Sequence, residues 1–480
     1  MTDHSELFID GTWVAPQGTE TINAYSASTE ERIGSFPEAS PADIDAAVAA
    51  ARRALTSPEW AEITQAERAA LMNRFADVLE AGKDERARLV STQNGMPISI
   101  ASFAEGDGVV ALLRYYASLA ESVELEEIRP RVDGTGTTVV QRTPIGVVGA
   151  IAPWNYPAVL AMFKLAPILA SGSTVVFKPS PETTLDSFTM AQAALEAGIP
   201  PGVINVVPGG PETGKHLVAH PGVDKVAFTG STRAGRQIGR VCGELLKPVT
   251  LELGGKSAGI ILEDAPVAET VTGLATASLL NTGQTCYMST RILAPKSRYD
   301  EFVEAITAMA SSLPVGDPLD PNTFIGPLVS KAQKERVLGY IEQGKAEGAT
   351  LTTGGGEPKD IDRGWYVEPT VFSNVDNSSA IAREEIFGPV LSVIPYTDEA
   401  EAIALANDSE YGLGGTVWTA DQDRGLQVAR RVATGSFGVN SYNLDWGAPF
   451  GGVKSSGLGR ELGPEGLAAY FSLKSIFLGS

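Results

Sequence analysis

Ile145-Gly-Val-Val-Gly-Ala-Ile-Ala152, followed at once by Pro153, decides the fold class. The run is short, apolar and closed by a proline, which predicts a strand buried on both faces. Thr174-Val-Val-Phe177 repeats the pattern and ends in Lys178-Pro179, and Gly202 to Val207 and Lys225 to Phe228 repeat it again. Strand, helix, strand in succession argues for a parallel sheet with helices on both faces. Upstream, Asp43 to Leu55 reads as an amphipathic helix. After Gly254-Gly255 a second α/β block begins. Its strand Gly259 to Leu262 is followed by a helix towards Leu280, then by Cys286 and a strand from Thr290 to Ala294. Arg129 to Thr143 differs, with Val and Thr alternating around Asp133-Gly134 as in a hairpin, and Ala469 to Leu478 alternates like an edge strand.

The chain has 480 residues, so two or three domains are expected. Its 43% hydrophobic and 20% charged residues are those of a globular protein, not a disordered one. A net charge of −21 disfavours nucleic acid and anionic membrane surfaces as partners. The N-terminus is acidic and lacks an apolar run, so no signal peptide is expected. Two cysteines, Cys242 and Cys286, make no disulfide framework and match no metal motif, which fits a reducing cytoplasm.

Chemistry concentrates in a few places. Cys286 lies in Asn281-Thr-Gly-Gln-Thr-Cys286, and Glu252 in Leu251-Glu-Leu-Gly-Gly-Lys256. The three histidines, His4, His216 and His220, are far from both motifs, so a Cys–His hydrolase is disfavoured and a glutamate is the better base. Cys286 sits among polar and glycine residues on a loop between a helix and a strand, where a reactive residue belongs. Cys242, on an apolar helix, reads as inert. Lys178 at a strand end can reach a ribose or phosphate, or simply mark where the strand meets water. Phe228-Thr-Gly-Ser-Thr-Arg-Ala-Gly235 opens a helix from Thr232 to Gly243; it suits either a phosphate contact or an ordinary cap. Asn155, held between Pro153 and Pro157, is an oxyanion donor or a turn residue. His216 and His220 are spaced i, i+4, but no H-E-x-x-H carboxylate accompanies them and Pro221 follows, so no metal is expected.

In this order and at these separations the motifs resemble the NAD(P)-dependent aldehyde dehydrogenase superfamily, of the non-acylating, hydrolytic type. The likeness extends from the Ala-rich helix near residue 45 to Gly459-Arg-Glu461. It implies an α/β fold, with a Rossmann-like cofactor domain (1–121 and 145–253) and an α/β catalytic domain (254–455). A small β oligomerisation ribbon would combine the hairpin 122–144 with the C-terminal strand 465–480, joining subunits into a dimer or tetramer.

The resemblance also implies roles. Cys286 matches the nucleophile, Asn155 the oxyanion donor and Glu252 the base that activates water, while Lys164 and Glu461 match a proton-relaying pair. Ile151, Pro153, Trp154, Lys178, Ser180, Gly210, Phe228, Gly230, Ser231, Leu253, Glu385 and Phe387 match cofactor contacts. Tyr156, Val159, Phe163, Tyr287, Trp446 and Phe450, with the loop Tyr442 to Trp446, match the substrate tunnel. An unperturbed thiol, with a pKa of about 8.5, is expected to supply enough thiolate without a histidine. Many NAD-preferring members carry a glutamate three residues after the strand-end lysine. Here Pro181 takes that place and Glu182 follows, so NAD is expected with NADP as the alternative. The aromatic tunnel predicts an uncharged aliphatic, aromatic or terpenoid aldehyde; a semialdehyde acid would need a basic residue there. The rival activities are a cofactor-independent thiol esterase and a non-catalytic protein on the same fold.

Overall fold

The computed structural model describes residues 2–479. An eight-stranded sheet holds the first half of the chain. Its centre is five parallel strands in the order Val249–Glu252, Lys225–Thr229, Val147–Ile151, Thr174–Lys178, Ile204–Val206. Every residue of Val147–Ile151, Thr174–Lys178 and Lys225–Thr229 is buried, as a parallel sheet covered on both faces requires. Antiparallel strands flank the five: Leu7–Ile9 and Thr12–Val14 on one side, and the two-residue strand Gly457–Leu458 beside Glu252 on the other.

The chain runs outward from Val147–Ile151 in one direction, then returns and continues in the other through Lys225–Thr229. The strand order therefore reverses between these two neighbours, which opens a crevice at their C-terminal ends. Helix Pro157–Ser171 leaves this crevice and is buried on all sides except at Leu160. Such a helix needs apolar residues all round, and Lys164 is tolerated within it only because Glu461 meets its charge.

A second, seven-stranded sheet starts at Ala258–Ile261, three residues beyond Gly255, and all its pairings are parallel except that of Thr350–Thr353. Helix Val267–Leu279 covers it and leads to Cys286. Outside both sheets, the hairpin Glu126–Pro130 and Thr137–Pro144 pairs with the C-terminal strand Phe471–Phe477, giving a three-stranded ribbon. Among the described residues no helix is long and apolar enough to cross a membrane.

Candidate active site

The crevice at the strand reversal is a cavity of about 460 Å³. Ile151, Pro153, Trp154, Lys178, Ser180, Gly210, Phe228, Gly230 and Ser231 line it, together with Glu182. Ser231 caps helix Thr232–Glu244 by accepting from the Ala234 N–H, so the helix N-terminus opens at the cavity wall. Lys178 Nζ donates to the Pro179 carbonyl at 2.9 Å, and burial holds its pKa down to about 8. Ser180 donates to the Glu182 carboxylate at 2.6 Å. A cationic side chain, a helix N-terminus and a carboxylate along one crevice suit a dinucleotide, with phosphate at the helix end and ribose hydroxyls near the acid.

This crevice continues into a second cavity of about 220 Å³, shared at Pro153, Trp154, Gly230 and Ser231. Cys286, Asn155, Leu253, Glu385 and Phe387 line the inner part. Trp154 meets Phe387 edge to face at 5.2 Å where the two cavities join. Cys286 is partly open to this space but otherwise surrounded by protein.

The loop carrying Cys286 is held in an uncommon conformation. Asn281, Thr282 and Gly283 all have left-handed backbones, with φ of 51°, 58° and 73°. A β-branched residue there is strained, so neighbours must hold it. Thr282 Oγ1 donates to the Gly326 carbonyl at 3.1 Å, and Gln284 Oε1 accepts from the Val329 N–H at 3.1 Å. Gly283 has no room for a side chain, since a Cβ would sit 2.2 Å from the Gly388 oxygen.

The same loop is tied to Asn155. Asn155 Nδ2 donates to the Gln284 carbonyl at 3.0 Å, and Asn281 Nδ2 donates to the Asn155 carbonyl at 3.0 Å. Asn94, from helix Lys83–Asn94, donates to the Trp154 carbonyl at 2.5 Å. The Asn155 amide is thereby tied to Gln284, two positions before Cys286 in the chain.

The expectation of an unperturbed thiol is corrected here. Burial, then the negative charges of Glu385 and Glu252, push Cys286 well above its usual range. Only the N–H groups of Cys286 and Tyr287 oppose this. The carboxyls themselves are raised: Glu385 to about 7 by burial, and Glu252 well above the carboxylate range by burial and by Glu461. When either is protonated its repulsion of the thiolate disappears.

Glu252 ends strand Val249–Glu252 and is buried. Among the described residues neither of its carboxylate oxygens has a hydrogen-bond partner. A Cβ on Gly451 would sit 2.4 Å from Glu252 Oε1, so a glycine there leaves the carboxyl room. Glu461 pairs with Lys164 at 2.8 Å, and Lys164 also donates to Thr229 Oγ1 at 2.6 Å. Glu385 Oε1 accepts from the Gly255 N–H at 3.0 Å.

The approach to the thiol is aromatic. Tyr287 stacks on Tyr442 at 4.5 Å and meets Phe450 edge to face at 6.1 Å. Phe163 meets Trp446 at 6.0 Å, and Tyr156 hydroxyl contacts Thr285 Oγ1 at 3.0 Å. Val159 is buried in the same apolar cluster.

Sequence reasoning missed several residues around this site. Gln333 and Arg336 line the inner cavity and donate to the Phe387 and Glu385 carbonyls at 2.8 and 2.6 Å. Their only signal was i, i+3 spacing on helix Lys331–Ala346. Glu105, which accepts from the N–H groups of Ala158 and Val159, was hidden in a glycine-rich stretch. His216 and His220 instead share Asp45, at 2.7 and 3.3 Å.

The Aldehyde dehydrogenase family model matches residues 13–476. The chain is 57% identical over 476 residues to geranial dehydrogenase of Castellaniella defragrans, covering 99% of each. An aldehyde dehydrogenase of Mycobacterium tuberculosis, crystallised with NAD+, superposes with a TM-score of 0.97 at 46% identity, covering 99% of this chain and 98% of that one. Aldehyde dehydrogenase C of Pseudomonas syringae, crystallised as a mutant with NAD+ and octanal, gives 0.95 at 39% identity over 98% and 96% of the chains.

Proposed function

Since this chain belongs to the aldehyde dehydrogenase family, we propose that its own substrates are uncharged, chain-like aldehydes of the terpenoid and aliphatic kind, oxidised on Cys286. The enzyme oxidises aldehydes to carboxylic acids with NAD. The observation that carries the substrate class is the aromatic approach, in which Tyr156, Phe163, Tyr287, Tyr442, Trp446 and Phe450 present no basic side chain to a carboxylate. The similarity to a geranial dehydrogenase and to an enzyme holding octanal supports it.

The Cys286 thiolate attacks the carbonyl carbon, forming a C–S bond and an oxyanion that takes hydrogen bonds from Asn155 Nδ2 and the Cys286 N–H. NAD+, when bound along Lys178, Ser231, Glu385 and Phe387, supplies the acceptor for the substrate's hydride. Glu252 takes a proton from water as that water attacks the acyl carbon of the resulting thioester. The C–S bond breaks, the acid leaves and the thiolate returns. Lys164 and Glu461 lie behind Glu252 and lead its proton away. Glu182 takes the part of the missing carboxylate at Pro181, opposing the 2′-phosphate of NADP.

On this reading residues 1–121 and 145–253 form the cofactor domain, 254–455 the catalytic domain, and 122–144 with 465–480 the ribbon that joins subunits in a cytoplasmic homo-oligomer. Exposed Ile128, Leu473 and Phe477 on the ribbon support a subunit contact.

The test is initial-rate NADH formation over geranial, octanal, benzaldehyde and succinic semialdehyde, for the native enzyme and Cys286→Ala. The highest kcat/KM is expected for geranial or octanal, with turnover abolished and NAD binding kept in Cys286→Ala. Preference for the semialdehyde would overturn the substrate class. Substantial dehydrogenase activity in Cys286→Ala would overturn the nucleophile.

A further inference from the structure

At the start of the second sheet, just after Gly255 in the chain, lies a small polar pocket that the aldehyde chemistry does not use. Lys256 and Ser257 lead into strand Ala258–Ile261, and Arg291 begins the neighbouring strand Arg291–Pro295. These three side chains line a cavity of about 10 Å³, closed by Tyr411, Leu413 and Thr434. That volume accepts one solvent-sized guest. Lys256, Ser257 and Arg291 are 2%, 5% and 1% exposed.

Among the described residues, Lys256 Nζ, Ser257 Oγ and Arg291 Nε have no hydrogen-bond partner. The remaining arginine nitrogens are engaged: Nη1 donates to Asn377 Oδ1 at 2.8 Å and the Leu405 carbonyl at 2.6 Å, and Nη2 to the Ala406 carbonyl at 3.0 Å. Two buried basic residues therefore border one space. The acids whose charge reaches them also have other partners: Glu385 accepts from the Gly255 N–H, Glu384 from the Tyr340 hydroxyl and Asp408 from Arg383.

We propose that this pocket binds one small monovalent anion of chloride size, held by Lys256 Nζ, Arg291 Nε and the Ser257 hydroxyl. Water is the competing guest, and three unpartnered donors favour a guest that accepts. A water must also donate two hydrogens, and several main-chain carbonyls around the cavity already hold at least one donor. Lys256 and Ala406 accept from Arg291 Nη2, Ser257 from the Arg291 N–H, Gly412 from Gly435 and Val453, and Leu413 from Ser436. An anion needs only donors and supplies the counter-charge that buried cations require. Burial and the neighbouring Arg291 hold Lys256 down to about 7, and a bound anion would restore its proton.

Crystals of the full-length enzyme soaked in sodium bromide provide the direct test, read by anomalous scattering. A bromide peak between Lys256 and Arg291 is expected; water density or nothing at that position would overturn the proposal. In solution, replacing gluconate with chloride at constant ionic strength should raise the unfolding midpoint saturably, on the order of 2 °C. Lys256→Met keeps the apolar stem without the charge and should abolish that rise. An unchanged chloride response in Lys256→Met would reject the site, and if the variant does not fold, the bromide experiment decides alone.

Discussion

At the scale of single residues, the site depends on side chains that set geometry as much as on those that react. Asn281 Nδ2 and Asn94 Nδ2 hold the main chain at Trp154 and Asn155, and the Asn155 amide in turn reaches the nucleophile loop. Asn281→Ala removes the shorter of two donors to the Asn155 carbonyl, Asn94 keeping the other at 3.3 Å, and should cost about 0.5–1.5 kcal/mol of stability. It should also lower kcat/KM for aldehyde while leaving the NAD dissociation constant unchanged, measurable by calorimetry beside steady-state kinetics. Glu252→Gln separates the two half-reactions. Hydride transfer precedes the attack of water, so a burst of NADH should come first, followed by turnover slowed by roughly 10²–10⁴-fold. Because burial and Glu461 raise the Glu252 pKa, and a base works only when deprotonated, the native steady-state rate should climb as pH rises. That climb should vanish from the slow phase of the variant. Cys286 and Glu252 were legible in the sequence because each sits in a compact motif whose chemistry needs that residue type. Asn94 and Glu105 were not, since their partners lie 60 and about 53 residues away and nothing local marks them. The raised thiol pKa was also invisible: it arises from burial, and then from Glu385 and Glu252, brought close by folding.

At the scale of elements, the π-helical segment Ser102–Gly108 shows how a local irregularity serves a distant helix. It turns Glu105 inward, where the carboxylate meets the start of Pro157–Ser171, the helix that carries Lys164 and Phe163. Burial and Asp186 push Glu105 up to about 8, and burial raises Asp186 to about 7. A carboxyl whose folded pKa lies above its unfolded value stabilises fully only below the unfolded pKa. Its contribution declines as pH rises from the ordinary carboxylate range through about 8. Glu105→Gln keeps an acceptor for both N–H groups and removes the titration. Denaturant unfolding at pH 5.5 and 8 should show a smaller loss of stability in the variant, with Asp186, Glu385 and Glu252 contributing to what remains; an equal loss would contradict the assignment. The strands of the parallel sheet were legible because continuous apolar runs mark burial on both faces. The two-residue strand Gly457–Leu458 was not, for its pairing with Leu251 and Glu252 lies in main-chain geometry and has no pattern of its own.

At the scale of the whole molecule, two sheets meet along one passage, with the cofactor crevice on one side and the thiol between them. The ribbon stands apart from both and shows Leu473 and Phe477 at 69% and 72% exposure. If it joins subunits, the double variant Leu473→Glu, Phe477→Glu should reduce the mass seen by light scattering to that of smaller species; an unchanged mass would place the contact elsewhere. The ribbon was legible as two separated alternating segments, while their register, Phe471 opposite Pro144, was not. The short strand beside Glu252 has a consequence for how the chain is made. Although most of the cofactor sheet is translated early, the strand that covers its edge emerges only near residue 458, after the entire second sheet. Translation must therefore reach almost the end of the chain before the sheet edge beside Glu252, the base proposed for hydrolysis, can be covered.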